Sequence, residues 1–196
     1  MVTDVPSKWR RRFQYIYIAD KNSQEHYIPN IGFEDGIAIY TLITNSDVGD
    51  TFKALELGSG VGYSTLWILY ALEDLNVEHT FLTAVEIDME RARILKQLLD
   101  EVKPIKTSYN VIVDDAIKII EETKEKFDFI FVDINKNRYV DAIERLQKIS
   151  HKKTTVMFHN AFLPSPPKEF LEKADEMGWK VNIIPTRVGM FLLQRS

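Results

Sequence analysis

Lys53-Ala54-Leu55-Glu56-Leu57-Gly58-Ser59-Gly60-Val61-Gly62-Tyr63-Ser64 is the stretch on which the fold turns. Residues 53–57 form an apolar run that reads as a strand, closed by Gly58, and a helical pattern occupies 63–72. Glycines between a strand and a helix let the backbone turn sharply and let a ligand lie against it. A dinucleotide fingerprint would be G-x-G-x-x-G, with its third glycine where Tyr63 stands. The spacing here is G-x-G-x-G, which suits a ligand without a pyrophosphate better. The plainer reading of the glycines alone is a strand–helix turn that binds nothing.

Outward from this turn, strand and helix signals alternate. Strands are expected at 81–85, 109–113, 127–132 and 154–158, and helices at 89–102, 116–124, 139–149 and 168–177, the last ended by Gly178. The run Phe127-Asp128-Phe129-Ile130-Phe131-Val132 is nearly continuous in apolar residues, as befits a central strand buried on both faces. Strands at 179–184 and 190–194 are separated only by Pro185 to Gly189. A parallel crossover needs about a dozen residues, so the last strand must be antiparallel. The pattern predicts an α/β, doubly wound, mostly parallel sheet of seven strands with helices on both faces. Residues 1–50 read as a mostly helical N-terminal extension, with a helix within 32–42, and 51–196 as the main domain.

Composition narrows the function classes. The chain has 196 residues, 45% hydrophobic, with a formal net charge of −4. A protein that binds nucleic acid over its whole surface should be basic, so that class loses weight. The absence of cysteine excludes a disulfide scaffold, a thiolate zinc site and a cysteine nucleophile. No apolar segment follows the basic N-terminal residues as in a secretory leader, and the apolar stretch 66–72 is far short of the ~20 residues of a membrane span. The expected location is the cytoplasm, away from membranes.

Polar residues at predicted strand ends mark a candidate site. Glu86 ends the second strand, where an acid suits the diol of a ribose. Asp88 reads instead as an acid at the start of the next helix. Asp114-Asp115-Ala116 follows the third strand, and Asp115 either caps the next helix or, with the backbone after it, meets an adenine amine. Asp133 closes the most apolar strand, a costly position for an unpaired acid. His159 and Asn160 end the next strand. Adjacent strands lie about 5 Å apart, so Asp133, His159 and Asn160 are expected to converge at the carboxyl edge of the sheet.

These residues resemble a known family. Residues 54–67 are similar to the first motif of the S-adenosylmethionine-dependent O-methyltransferases of the catechol and caffeoyl-CoA type, a class I, Rossmann-like family. Ala84-Val85-Glu86-Ile87-Asp88 resembles their second motif. Residues 127–139 resemble their FDFIFVDADKxxY segment, and Gly189-Met190-Phe191-Leu192-Leu193 their last strand. The resemblance implies strand order 3-2-1-4-5-7-6 with the last strand antiparallel. It implies S-adenosylmethionine as cofactor, held by Glu56, Gly58, Ser59, Gly60, Gly62, Tyr63, Ser64, Glu86, Ile87, Asp114, Asp115, Ala116 and Asp133. Glu86 would take the ribose hydroxyls and Ser64 the methionine end. Lys136 would take the proton of the acceptor hydroxyl.

The resemblance also implies a divalent metal, Mg²⁺, on Asp133 and an Asp-Asn pair. This chain has His159-Asn160 there. Imidazole suits a transition ion better than Mg²⁺. Two readings stand: Asp133, His159 and Asn160 hold such an ion, or the metal has gone and His159 is a general base, neutral near pH 7. The loop Ala161-Phe162-Leu163-Pro164-Ser165-Pro166-Pro167 is shorter and poorer in Gly and Trp than the family's, so the usual catechol or coenzyme A acceptor does not carry over as such. A small, catechol-like acceptor is expected. The alternatives are a tRNA wobble hydroxyuridine methyltransferase, its RNA contacts drawn from Lys8, Trp9, Arg10, Arg11, Arg12 and Phe13, and a cofactor-binding protein without catalysis. Assembly as a homodimer is left open.

Overall fold

The computed structural model describes residues 6–47 and 49–195. Residues 1–5, read above for a leader, and Val48 in the expected extension lie outside the described residues. Two helices come first, α1 (Ser7–Glu25) and α2 (Phe33–Thr44). The alternating part follows as β1 (Thr51–Leu57), α3 (Tyr63–Asp74), β2 (His79–Glu86), α4 (Met89–Val102), β3 (Thr107–Val113), α5 (Ala116–Glu122) and β4 (Phe127–Val132). It ends with α6 (Tyr139–Arg145), β5 (Ser150–His159), α7 (Glu169–Glu176), β6 (Trp179–Ile184) and β7 (Met190–Arg195). Among the described residues the seven strands form one sheet, ordered β3-β2-β1-β4-β5-β7-β6. β7 runs antiparallel to both β5 and β6, and the other pairings are parallel. Order and direction are as expected. The five-residue β6–β7 link leaves no other choice.

Strand periodicity divides the core in two. Ala54, Phe129, Phe131 and Met157 face the side covered by α1–α4. Leu55, Ile130, Val132, Val156 and Phe158 face the side covered by α5–α7. β4 is buried on both faces, so its near-continuous apolar run is explained. Ile16 and Ala19 of α1 and Ile39 and Ile43 of α2 share the first cluster with Trp67 of α3. Gly36 lets α2 approach closely, since a Cβ there would lie 2.3 Å from the Trp67 indole.

Several element ends differ from expectation. β5 starts at Ser150 rather than 154. Its polar entry is held by the Thr154 hydroxyl donating to the Phe127 carbonyl (2.7 Å) and by a His151–Asp128 contact of 3.0 Å, neither of which hydropathy reveals. The helix expected over 139–149 tightens into a 3₁₀ turn at Leu146–Ile149. α5 stops at Glu122 rather than 124.

The basic run of α1 is largely structural. Arg12, nearly buried, places its guanidinium 2.5 and 2.8 Å from the two Asp74 carboxylate oxygens and over the Tyr70 ring. Lys8 pairs with the same carboxylate, which also accepts from the Tyr40 hydroxyl. These contacts clasp α1 to α3. Among the described residues no helix is long and apolar enough to cross a membrane.

Candidate active site

Strand order reverses between β1 and β4, and open α/β sheets bind ligands outside the carboxyl ends of strands at such a point. A cavity of about 670 Å³ opens there. Its volume lies in the range typical of small-molecule sites.

The cofactor side is built by the turn after β1. The Gly58 and Ser59 N–H groups both donate to the Val85 carbonyl, at 2.9 and 3.1 Å, which folds the turn back over β2. Gly58 has φ +91°, and a Cβ there would lie 2.3 Å from the Asp133 carbonyl oxygen. This close approach sets the ends of β1 and β4 side by side. Glu86 is nearly buried and takes the Gly60 N–H (2.8 Å) on one carboxylate oxygen and the Asp88 N–H (3.0 Å) on the other. A carboxylate has about four acceptor positions, so two remain for hydroxyls. Ile87, 68% exposed, offers an apolar floor beside it. Ser59, Gly60, Tyr63, Ser64, Asp114 and Ala116 line the same wall.

Two expected cofactor residues stand back from the cavity. Glu56 is fully buried and accepts from the Ser64 and Thr65 hydroxyls, each at 2.5 Å. Burial, with Asp133 and Glu86 adding repulsion, raises its carboxyl to about 7 against the pull of those hydroxyls. It positions Ser64 rather than a ligand. Gly62 caps α3. Asp115 caps α5 through the Ile117 and Lys118 N–H groups and pairs with Arg138 at 2.7 Å, so its side chain serves the plainer role while still lining the wall. Asp88 caps α4, as expected. The cavity, the exposed apolar floor and the spare acceptors of Glu86 fit the nucleoside end of S-adenosylmethionine.

The acceptor side is built by β4 and β5. Asp133 and His159 are brought together, with 3.3 Å between Asp133 Oδ2 and His159 Nδ1. Tyr139, buried beneath them, sets its hydroxyl 3.1 Å from the Val132 carbonyl and 3.0 Å from the His159 carbonyl, tying the two strand ends together. Burial and the Asp133 charge raise its phenol well above the usual range. Lys136 Nζ lies 2.6 Å from Asp133 Oδ1.

Sequence reasoning missed Asp35. It sits fully buried near the start of α2, accepts from the Gly32 N–H at 2.7 Å and meets His159 Nε2 at 3.2 Å. Burial alone would raise the Asp35 carboxyl, but His159, Thr186 and the Gly32 N–H hold it below its ordinary value. Burial likewise opposes the charge of Asp133, and His159 and Lys136 overcome it. For His159 burial pulls downward, yet Asp133 and Asp35 together raise the imidazole to about 9.

These contacts bear on both readings of His159. The two carboxylates favour the imidazolium near pH 7, which counts against a general base there, and the buried His159 Nδ1 and Asp35 Oδ1 have no hydrogen-bond partner. Both His159 nitrogens face carboxylates, and Lys136 takes the other Asp133 oxygen. Asn160, at φ +60°, donates from Nδ2 to the Leu163 carbonyl at 2.8 Å, a bond that leaves its amide oxygen unused. Among the described residues no three His, Asp or Glu side chains are set to hold an ion.

The comparisons with known proteins agree with this fold. A family described as a methyltransferase domain matches residues 55–161, more than half of the chain. A catechol O-methyltransferase of Niastella koreensis is 27% identical over 109 residues, 54% of this chain and 48% of that protein. An Arabidopsis thaliana protein named for caffeoyl-CoA O-methyltransferase is 30% identical over 111 residues, 55% of this chain and 46% of that protein. The matched part thus spans about half the length of these relatives. The crystal structure of the O-methyltransferase TomG from Streptomyces achromogenes, in complex with SAM, aligns with a TM-score of 0.73 at 20% identity over 93% of this chain and 89% of that one. At that identity the likeness shows the fold.

Proposed function

The chain belongs to the methyltransferase domain family, and on that premise we propose that it transfers the methyl group of S-adenosylmethionine to a hydroxyl oxygen of a small acceptor. The observation that carries this reading is Glu86, set against the glycine turn in the cavity where the strand order reverses. The names of the relatives and the ligand of TomG support it.

When bound, S-adenosylmethionine supplies a methyl group on a sulfonium and a ready leaving group. The protein has to orient the reactants and remove a proton. The Ser59–Gly60 backbone, Glu86 and Ile87 would hold the nucleoside end. Ser64, fixed by Glu56, would serve the methionine end. The acceptor side would bring the hydroxyl oxygen to that methyl group, the electron pair of the carbon–sulfur bond leaving with sulfur. The hydroxyl proton passes to Lys136. Lys136 takes that proton as the free amine, oriented by Asp133. Lys8 and Arg12 are committed to Asp74, which favours a small acceptor over RNA.

The test is transfer of radiolabelled methyl from S-adenosylmethionine to a panel of phenols, catechols and bulk tRNA. Labelled ether products from small hydroxyl compounds are expected. Label in tRNA alone, or in no acceptor, would overturn the reading.

A further inference from the structure

The wall of the cavity carries the cationic side chains of Arg91, Lys136, Arg138 and Arg187. Lys136 is paired with Asp133, and Arg138 with Asp115. Among the described residues the guanidinium groups of Arg91 and Arg187 have no ion pair. Arg91 stands on α4, next to Glu86 and Ile87 on the cofactor side. Arg187 belongs to the β6–β7 link on the acceptor side, where Asn160, Pro164 and Val188 also line the cavity.

That link is held firmly by backbone. The Gly189 N–H donates to the Thr186 carbonyl at 3.1 Å, closing a turn with Arg187 and Val188 at its centre. The Phe162 N–H donates to the Val188 carbonyl (2.8 Å) and the Ala161 N–H to the Gly189 carbonyl (2.9 Å), which clamps the turn to the loop after β5. From the other side the Arg187 N–H meets Glu34 Oε1 at 3.4 Å. The nearest acid therefore engages the backbone of Arg187 and leaves its guanidinium open. The residue is exposed at the mouth, whereas the Lys136 side chain is only 17% exposed and lies deeper.

An arginine fork takes a carboxylate through two parallel hydrogen bonds. One guanidinium balances one negative charge, so a carboxylate fits better than a phosphate monoester, which carries about −1.5 to −2 near pH 7. Ile31, Pro164 and Val188 give the acceptor side apolar surface for the body of a ligand. We propose that Arg187 selects the acceptor: a small hydroxy compound with an apolar body and one carboxylate, gripped at the mouth by the guanidinium while its hydroxyl reaches Lys136. This rests on the methyl-transfer reading above and adds the charge of the substrate.

The experiment uses the full chain, with S-adenosylhomocysteine for binding and radiolabelled S-adenosylmethionine for transfer. The probes are para-hydroxyphenylacetate and para-hydroxyphenylpropionate, each beside its uncharged amide. Calorimetry is expected to show the acids binding about tenfold more tightly than the amides, the worth of a hydrogen-bonded charge pair at a solvent-exposed mouth. Arg187→Gln should bring that ratio close to unity, Arg187→Lys should keep part of it, and Arg187→Glu should reverse it. Transfer rates below saturation should follow the same ratios. Equal binding of acid and amide by the unmodified protein, an unaltered ratio in Arg187→Gln, or no binding of either acid would overturn the proposal. Equal transfer to acid and amide would likewise overturn it and keep the methyl-transfer reading. Acid binding that depends on Arg187 but yields no labelled product would instead fail the methyl-transfer reading and keep the carboxylate site.

Discussion

The two sides of the cavity are made differently. The cofactor side is written in consecutive backbone: a strand, three glycines, a helix, and one acid at the end of the next strand. The acceptor side is assembled from afar, with Asp35 and His159 separated by 124 residues in the chain. Local geometry makes the first side recognisable and repeatable across a fold. The second is set by how α2 lies over the sheet, and it carries His159 where the resemblance implies an acid. Substitutions on the cofactor side should therefore change binding or folding, and those on the acceptor side the rate.

Lys136→Met gives the sharpest separation. Turnover should fall about 10²–10⁴-fold, the usual contribution of a positioned proton acceptor. Affinity for S-adenosylhomocysteine should stay within a few fold. Steady-state rates with calorimetry on the same preparation measure both, and an unaltered rate would remove Lys136 from the mechanism.

Gly58→Ala attacks the cofactor side through its backbone. The left-handed conformation alone costs ~1–2 kcal/mol for alanine, and the collision with the Asp133 carbonyl adds to it. Denaturant unfolding should show the loss, whereas stability equal to the unmodified protein would mean the turn relaxes freely.

Titration compares the buried acid of one side with the imidazolium of the other. Both folded-state values are raised, so both groups stabilise the fold when protonated. The Glu56 contribution is complete below about 4.5 and lost as pH rises through about 7. The His159 contribution is complete below about 6.5 and lost as pH rises through about 9. Thermal midpoints should therefore decline in two overlapping steps. Glu56→Gln should flatten the lower step and keep the upper one. A flat profile from pH 6.5 to 9 would show that His159 is not held by its carboxylates.

Legibility in the sequence follows the same division. α4 and β4 stand where periodicity puts them, because each has an unbroken pattern and a clear boundary, Asp88 at the start of the helix and Asp133 just past the end of the strand. The start of β5 was hidden, since Ser150 to Lys153 is polar and is held by side-chain contacts to β4. Asp133 and His159 were legible as polar residues at the ends of apolar strands, and Lys136 only through the family resemblance. Asp35 was not, because an acid in the first turn of a helix reads as a cap, which it also is. The same local logic obscured Glu56, whose place in a motif suggested ligand contact, whereas full burial makes it a support for Ser64 and Thr65.

The central claim is that Glu86 and the glycine turn bind the nucleoside end of S-adenosylmethionine. Calorimetric titration with S-adenosylhomocysteine tests it most directly. The unmodified chain should bind one equivalent, and Glu86→Ala should weaken binding by roughly 2–3 kcal/mol, the worth of hydrogen bonds to a charged group. Undiminished affinity in the variant, or no binding by the unmodified chain, would contradict the account.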